Sequence, residues 1–204
     1  MYAPAPFYSS SFEDASQIIE KTTMGTLVLV GSDGMSGSPL PFTVSSTSEG
    51  LRLFGHLDRQ NPLAAELSSA QSVMIIFWGA GSYISPSFYT SSPRVPTWMF
   101  ATCHAYGVTQ AINDESELND EMVRLTQELE PENSGWKLEQ VASYKNRLLP
   151  AIQGFWVDVT RVDSQLRHGQ HNSDEDQLSV MTSLQNGNKD AQGMANWIKG
   201  WKIQ

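Results

Sequence analysis

Gly55-His56-Leu57-Asp58-Arg59-Gln60-Asn61-Pro62 clusters an imidazole, a guanidinium and an amide where a strand pattern gives way to a helix start. Helix N-termini offer free N–H groups and a positive dipole end, which attract anions. A guanidinium adds a planar fork that matches phosphate or carboxylate. His56, Arg59 and Asn61 are therefore candidate anion-binding residues; the plainer alternative is a solvated turn with Asn61 as N-cap. A second chemistry comes from Tyr83-Ile84-Ser85-Pro86-Ser87-Phe88-Tyr89 and Val95-Pro96-Thr97-Trp98-Met99-Phe100, where aromatic rings alternate with small hydroxyls. Flat ligands use such walls, with the hydroxyls orienting them. Aromatic strand residues also serve simply as core or interface.

Other constellations carry less. Gly79-Ala80-Gly81-Ser82-Tyr83-Ile84 begins like a dinucleotide fingerprint, but Ile84 occupies its third glycine position. Ser85-Pro86-Ser87 then fails to open a long helix, so a glycine turn between two strands is expected instead. His168 and His171 precede Asp174, Glu175 and Asp176, which could hold a metal. The same residues also read as a loop and then a helix capped by Asn172 or Ser173, its acids facing the dipole; no metal ligand is assigned. No Gly-x-Ser-x-Gly or Walker loop is present, and no residue stands out as a catalytic acid or base.

The elements that must position these groups follow from periodicity. Phe12 to Lys21 has Phe12, Ala15, Ile18 and Ile19 at helical spacing. Thr26 to Val30 and Leu40 to Val44 read as a hairpin around Gly31-Ser32-Asp33-Gly34. Leu51 to Gly55, Val73 to Phe77, Trp98 to Ile112 and Ile152 to Val162 read as further strands, the second of these buried throughout. Asp114 opens an acidic helix with Leu118, Met122, Leu125 and Leu129 on one face. Further helices are expected from Leu138 to Leu149, Ser173 to Leu184 and Ala191 to Ile203, the last with Trp197 and Trp201 one turn apart. Strands interrupted irregularly by helices argue against a doubly wound parallel sheet. They predict a mainly antiparallel barrel with helical additions, an α+β chain in which residues 1–165 form the barrel and 166–204 a helical extension of the same domain.

Composition sets limits on function. The 204 residues are 40% hydrophobic and 17% charged, which reads as one globular domain. Thirteen basic against 22 acidic residues give a formal net charge of −9. A single cysteine, Cys103, excludes an internal disulfide and reads as a small buried hydrophobe. The longest apolar run, Val73 to Trp78, is too short to span a bilayer. Met1 to Pro6 has neither the basic start nor the apolar core of a signal peptide, so a cytoplasmic location without a membrane partner is expected.

The chain resembles the PaiB-type FMN-binding proteins, described as negative transcriptional regulators and related to the pyridoxamine phosphate oxidase-like split-barrel flavoproteins. The resemblance rests on Gly25-Thr26-Leu27, Leu40-Pro41-Phe42, Gly55-His56-Leu57, Asn61-Pro62, Tyr83-Ile84-Ser85-Pro86-Ser87, Val95-Pro96-Thr97-Trp98, His104-Ala105-Tyr106-Gly107 and Ile152-Gln153-Gly154-Phe155. It implies an antiparallel split β-barrel homodimer with FMN near the subunit interface and a flavin-dependent oxidoreductase or regulatory role. His56, Arg59 and Asn61 would then meet the phosphate, and Ser85, Thr97 and Trp98 the ring and ribityl chain. Arg167 and Gln170 match a polar motif near the end of the barrel and join the cofactor-binding set. The chain departs from the family pattern at Pro39, at Gly79 to Ser82, at Met99-Phe100 and at His171, each losing or exchanging a polar group. Those departures motivate an alternative, a non-catalytic interaction module that has lost flavin.

Direct DNA repression is disfavoured by charge. Asp114 to Glu130 and Ser173 to Leu184 are mainly acidic, whereas a recognition helix is basic or polar. An anisotropy titration at physiological ionic strength is expected to show no duplex affinity; a steep fall of affinity with added salt would contradict this reading.

Overall fold

The structure, a computed structural model, describes residues 1–32, 34–48 and 50–201. Asp33 of the expected hairpin loop and Ile203 of the expected final helix lie outside the described residues. The strands are β1 (Tyr8–Ser9), β2 (Met24–Gly31), β3 (Gly34–Thr47), β4 (Gly50–Asp58), β5 (Ser72–Ile84), β6 (Thr97–Ala111) and β7 (Ile152–Arg167). The helices are α1 (Phe12–Thr22), α2 (Leu63–Glu66), α3 (Glu115–Leu129), α4 (Ala142–Leu148), α5 (Asp174–Gln185) and α6 (Lys189–Lys199). Strand order is β1-β7-β4-β3-β2-β5-β6, and β7 also pairs with β6, so the ladder returns on itself. The fold is an antiparallel split β-barrel with C-terminal helices.

Local chemistry explains the elements. In β2, Gly25, Leu27 and Leu29 turn inward while Met24, Thr26 and Val30 face out, the period-two pattern of a half-buried strand. Its register with β3 runs from Met24 opposite Pro41 to Gly31 opposite Gly34. β4 joins β3 to β7, with Phe42 opposite Gly55 and Gly55 opposite Phe155. Only glycine fits at 55, since a Cβ there would approach the Phe42 ring to 2.7 Å. Asp114 caps α3 by accepting from the Glu117 N–H, and Ser173 caps α5 by accepting from Asp176.

The chain divides into two compact units. The first comprises Met1–Thr22, Ile76–His104 and Val162–Gln204, and the second comprises Thr23–Ile75 and Ala105–Arg161. In the second unit, Phe54, Ile112, Leu118, Leu125, Leu149 and Trp156 form one apolar cluster, with Met122 and Ile152 packed against it. Leu129 belongs to the expected apolar face of α3 but is 51% exposed, because the last turn runs past this cluster. In the first unit, Cys103 is fully buried as expected, and burial pushes its thiol up to about 11. No helix among the described residues is long and apolar enough to cross a membrane.

Three elements differ from their sequence reading. The expected glycine turn at Gly79-Ala80-Gly81 lies inside the continuous strand β5. Val73, Ile75 and Phe77 are buried, then Ser82 and Ile84, so the inward parity slips by one residue across the glycines. A residue slip of this kind exchanges the faces of a strand, and glycine tolerates it. Gly79 also lets Trp197 of α6 approach, since a Cβ would lie 2.7 Å from that indole. β5 is buried on one face only, against the expected two-sided burial. The helix expected from Leu138 to Leu149 breaks into a 3-10 turn, α4 and a second 3-10 turn that contains Pro150.

Gly107 gives a test of strand packing. A Cβ there would stand 2.3 Å from the Asp158 carbonyl oxygen and 2.8 Å from a Val157 methyl. Gly107→Ala is expected to cost about 1–3 kcal/mol by overpacking. A lower urea midpoint at unchanged m-value would show this, and an unchanged midpoint would contradict it.

Candidate functional site

The residues with chemistry in the first unit gather around a cavity of about 210 Å³. Thr97, Trp98 and Arg167 line it, joined by Phe7, Tyr89 and Arg94 on one part of the wall and by His171 and Asn172 on another. Trp98 starts β6 and is 56% exposed, with its ring edge-on to Tyr83 at 6.2 Å. Arg167 ends β7 and donates to the Thr97 hydroxyl at 3.3 Å. Its guanidinium lies 5.0 Å from the Phe7 ring centre. Phe7 meets His171 edge-on at 5.0 Å.

A buried carboxylate holds one wall in place. Asp176 in the first turn of α5 is fully buried. One of its oxygens accepts from the Thr90 and Ser91 N–H groups and the Thr90 hydroxyl, at 2.9, 3.0 and 2.9 Å. The other accepts from the Ser91 hydroxyl at 2.6 Å and from Arg94. The Ser91 hydroxyl above all, with the Ser91 N–H, Thr90 and Arg94, holds its carboxyl well below the usual carboxylate range. Arg94 also donates to Ser91 and to the Asn172 side-chain oxygen, and its guanidinium lies 4.6 Å from the Tyr89 ring centre. Burial pushes the Tyr89 phenol up, against the pull of Arg94, so it stays protonated.

Ser85 and Gln170 are not among the residues lining this cavity and have internal work. Ser85 caps the 3-10 turn Pro86–Phe88 and bonds Ser87. Gln170 donates to the Pro6 and Leu166 carbonyls and accepts from the His168 N–H. It braces the turn after β7 and ties the N-terminal arm to it. Tyr8 of that arm donates to Asp163 at 3.0 Å. Gly169, at φ +83°, makes the turn possible.

His56, Arg59 and Asn61 belong to the second unit. The Arg59 Nε donates to the Pro150 carbonyl at 3.0 Å, and one terminal nitrogen donates to Gln153 at 2.6 Å. No carboxylate among the described residues forms an ion pair with it. The Asn61 side-chain oxygen accepts from the Leu63 N–H at 3.0 Å, and α2 is a single turn of four residues. The helix dipole expected to strengthen an anion site here is therefore small. His56 stacks on Phe54 at 6.1 Å, its Nδ1 is buried without a hydrogen bond, and burial pushes its pKa down.

Residues 1–161 match the family described as "Putative FMN-binding domain". The chain belongs to that family. It is 26% identical over 202 residues to "Protease synthase and sporulation protein PAI 2" of Bacillus subtilis, covering 98% of this chain and 97% of that one. Among solved structures it is similar to the FAD and heme binding protein from Mycobacterium smegmatis. That match has TM-score 0.59 and 14% identity, covering 83% of this chain and 78% of the other. The flavocytochrome Anf3 from Azotobacter vinelandii matches at TM-score 0.59 and 13% identity, covering 87% of this chain and 78% of the other. The two structural likenesses show that this member of the FMN-binding family shares their fold.

Sequence reasoning missed Arg94 and Asp176 as a pair. One signal was present: Arg94 is the only Lys or Arg between Arg59 and Arg124. Nothing in the spacing, however, links it to an acid more than eighty residues away, at 176. Asn172 and Phe7 were equally invisible, since their roles come from the turn after β7 and the arm that crosses it.

His168 gives a pH test. Burial lowers its pKa from 6.5 to about 4, partly opposed by Asp14. The unfolded chain therefore binds a proton that the folded one refuses between those two values. Its contribution is fully present above 6.5 and falls as pH drops toward about 4, by at most roughly 3 kcal/mol. Urea unfolding across that window is expected to show the slope in wild type and a flatter one in His168→Gln. Equal slopes would contradict the assignment.

Proposed function

We propose that the protein is a flavin-binding split-barrel homodimer that takes FMN. Family membership supports this, and one observation carries it at residue level. In the first unit Arg167 is a cation without a carboxylate partner among the described residues, and Trp98 offers a half-exposed ring beside the Thr97 hydroxyl. A phosphorylated planar cofactor asks for those groups. In this reading Arg59, with His56 and Asn61, meets the phosphate. Ser85, Thr97 and Trp98 face the ring and ribityl chain. Arg167 adds positive charge through Thr97, and Gln170 fixes the turn that carries it. The flavin, when bound, supplies the redox chemistry, and the protein supplies position and electrostatics.

Exposed aromatic rings support the dimer. Trp78 on β5 is 63% exposed and stacks on Phe100 of β6 at 5.5 Å. Tyr83 is 46% exposed. Rings left open in this way are enriched where partners dock. A second copy of the chain covers them in this reading, in keeping with the resemblance. A chain with a formal net charge of −9 is a poor match for nucleic acid.

Purified protein mixed with FMN is expected to perturb the flavin absorbance and to carry it through gel filtration at twice the monomer mass. Arg59→Met is expected to weaken FMN about tenfold or more by removing a charge-assisted contact. An unperturbed spectrum with free dye elution from wild type would overturn the reading.

A further inference from the structure

We propose that the first-unit cavity is a binding site for a small planar carboxylate, held by Arg167 between aromatic walls. This deepens the flavin reading by naming the class of a second ligand. Its functional role rests on that reading, whereas its binding does not.

The two arginines of the cavity differ. Arg94 is occupied by Ser91, Asn172 and Asp176, and the buried Asp176 carboxylate neutralises it from behind. Arg167 makes one hydrogen bond, to a neutral hydroxyl, and no ion pair among the described residues. Among the described residues no acidic side chain lines the cavity. One net positive charge with open donors therefore faces the space, which suits a monoanion. A guanidinium presents two parallel N–H groups to a carboxylate, and that geometry favours a planar acid over a point charge.

Two further groups point the same way. The side-chain nitrogen of Asn172 is buried, lines the cavity through its residue, and has no hydrogen-bond partner. Buried amide donors of this kind ask for an acceptor. Its oxygen is fixed by Arg94, so the amide cannot turn to satisfy the nitrogen elsewhere without losing that bond. The Tyr89 phenol, kept protonated by burial, is a further O–H donor on the wall. Phe7, Trp98 and His171 complete a lining of flat faces.

Size decides between ligands. The cavity of about 210 Å³ falls below the roughly 300–1,000 Å³ of sites that enclose drug-sized ligands. A one-ring acid fits this space; a complete flavin nucleotide is larger, and in the proposed reading it shares only the Thr97 and Trp98 edge of the cavity.

The probe is benzoate, titrated calorimetrically into the flavin-free full chain and into the chain saturated with FMN, with neutral benzamide as the matched control. Benzoate is expected to bind both forms, with benzamide at least about tenfold weaker, the difference a charge-assisted pair makes. Arg167→Met, checked for an unchanged thermal transition, is expected to lose the preference for benzoate. Benzamide binding as tightly as benzoate, Arg167→Met binding benzoate unchanged, or no benzoate binding to either form would each overturn the proposal. Competitive displacement of benzoate by FMN would also overturn it, assigning the cavity to the flavin and leaving the proposed function intact. Benzoate binding in a chain that takes no FMN would support the site and remove the flavin reading.

Discussion

A carboxylate that cannot reach water must be met by donors or give up its charge, and Asp176 is met from every side. Thr90 and Ser91 each supply a backbone N–H and a hydroxyl, and Arg94 supplies a guanidinium. A buried ion pair gains its net benefit only when the remaining lone pairs are filled, and here they are. The consequence is positional. The segment from Tyr89 to Val95 has no regular structure of its own apart from its bonds to α5. With Asp176 in place, Tyr89 and Arg94 become a fixed wall. Helix α5 thus acts on the cavity through Asp176 and also through Gln177, which donates to the carbonyl of the lining residue Asn172 at 2.8 Å.

The same arrangement determines which cation is available. Arg94 is closest to the carboxylate and is neutralised by it. Arg167, at the end of β7, hydrogen-bonds the Thr97 hydroxyl and has no ion-pair partner among the described residues. Gly169 and Gln170 close the turn behind it, and Gln170 holds the arm so that Phe7 reaches the guanidinium. Selectivity in such a site comes from neutralising one charge and leaving another. In the second unit Arg59 shows a milder version, with two donors committed to Pro150 and Gln153 and no ion pair among the described residues. These local surpluses sit on a chain whose total charge is −9. Net charge describes long-range attraction and repulsion, and a pocket can differ in sign from the whole.

Several aspects of the fold were legible in the chain. β-rich, aromatic or alternating runs located β2, β4, β6 and β7, and helical spacing located α1 and α3, because burial on one face leaves a local imprint. Short motifs singled out Thr97, Trp98 and Arg167 as candidate site residues, and all three line one cavity. Gly79-Ala80-Gly81 was legible as a place where backbone freedom mattered, but whether it served a turn or a slip of strand parity depended on Trp197, which packs there from more than a hundred residues away, at 197.

Sequence by itself thus determined element types, the family, the acidity and the aromatic and cationic residues worth inspecting, since all of these follow from neighbours along the chain. Tertiary structure alone decided that Asp176 leaves its helix-dipole role to bind Arg94, that Gln170 is a brace, and that Arg167 rather than Arg94 keeps an open charge. The physical reason is common to all three. Electrostatic free energy in a buried site depends on which donors and acceptors lie within hydrogen-bond reach, and that reach is set by the packing of strands and helices distant in the chain.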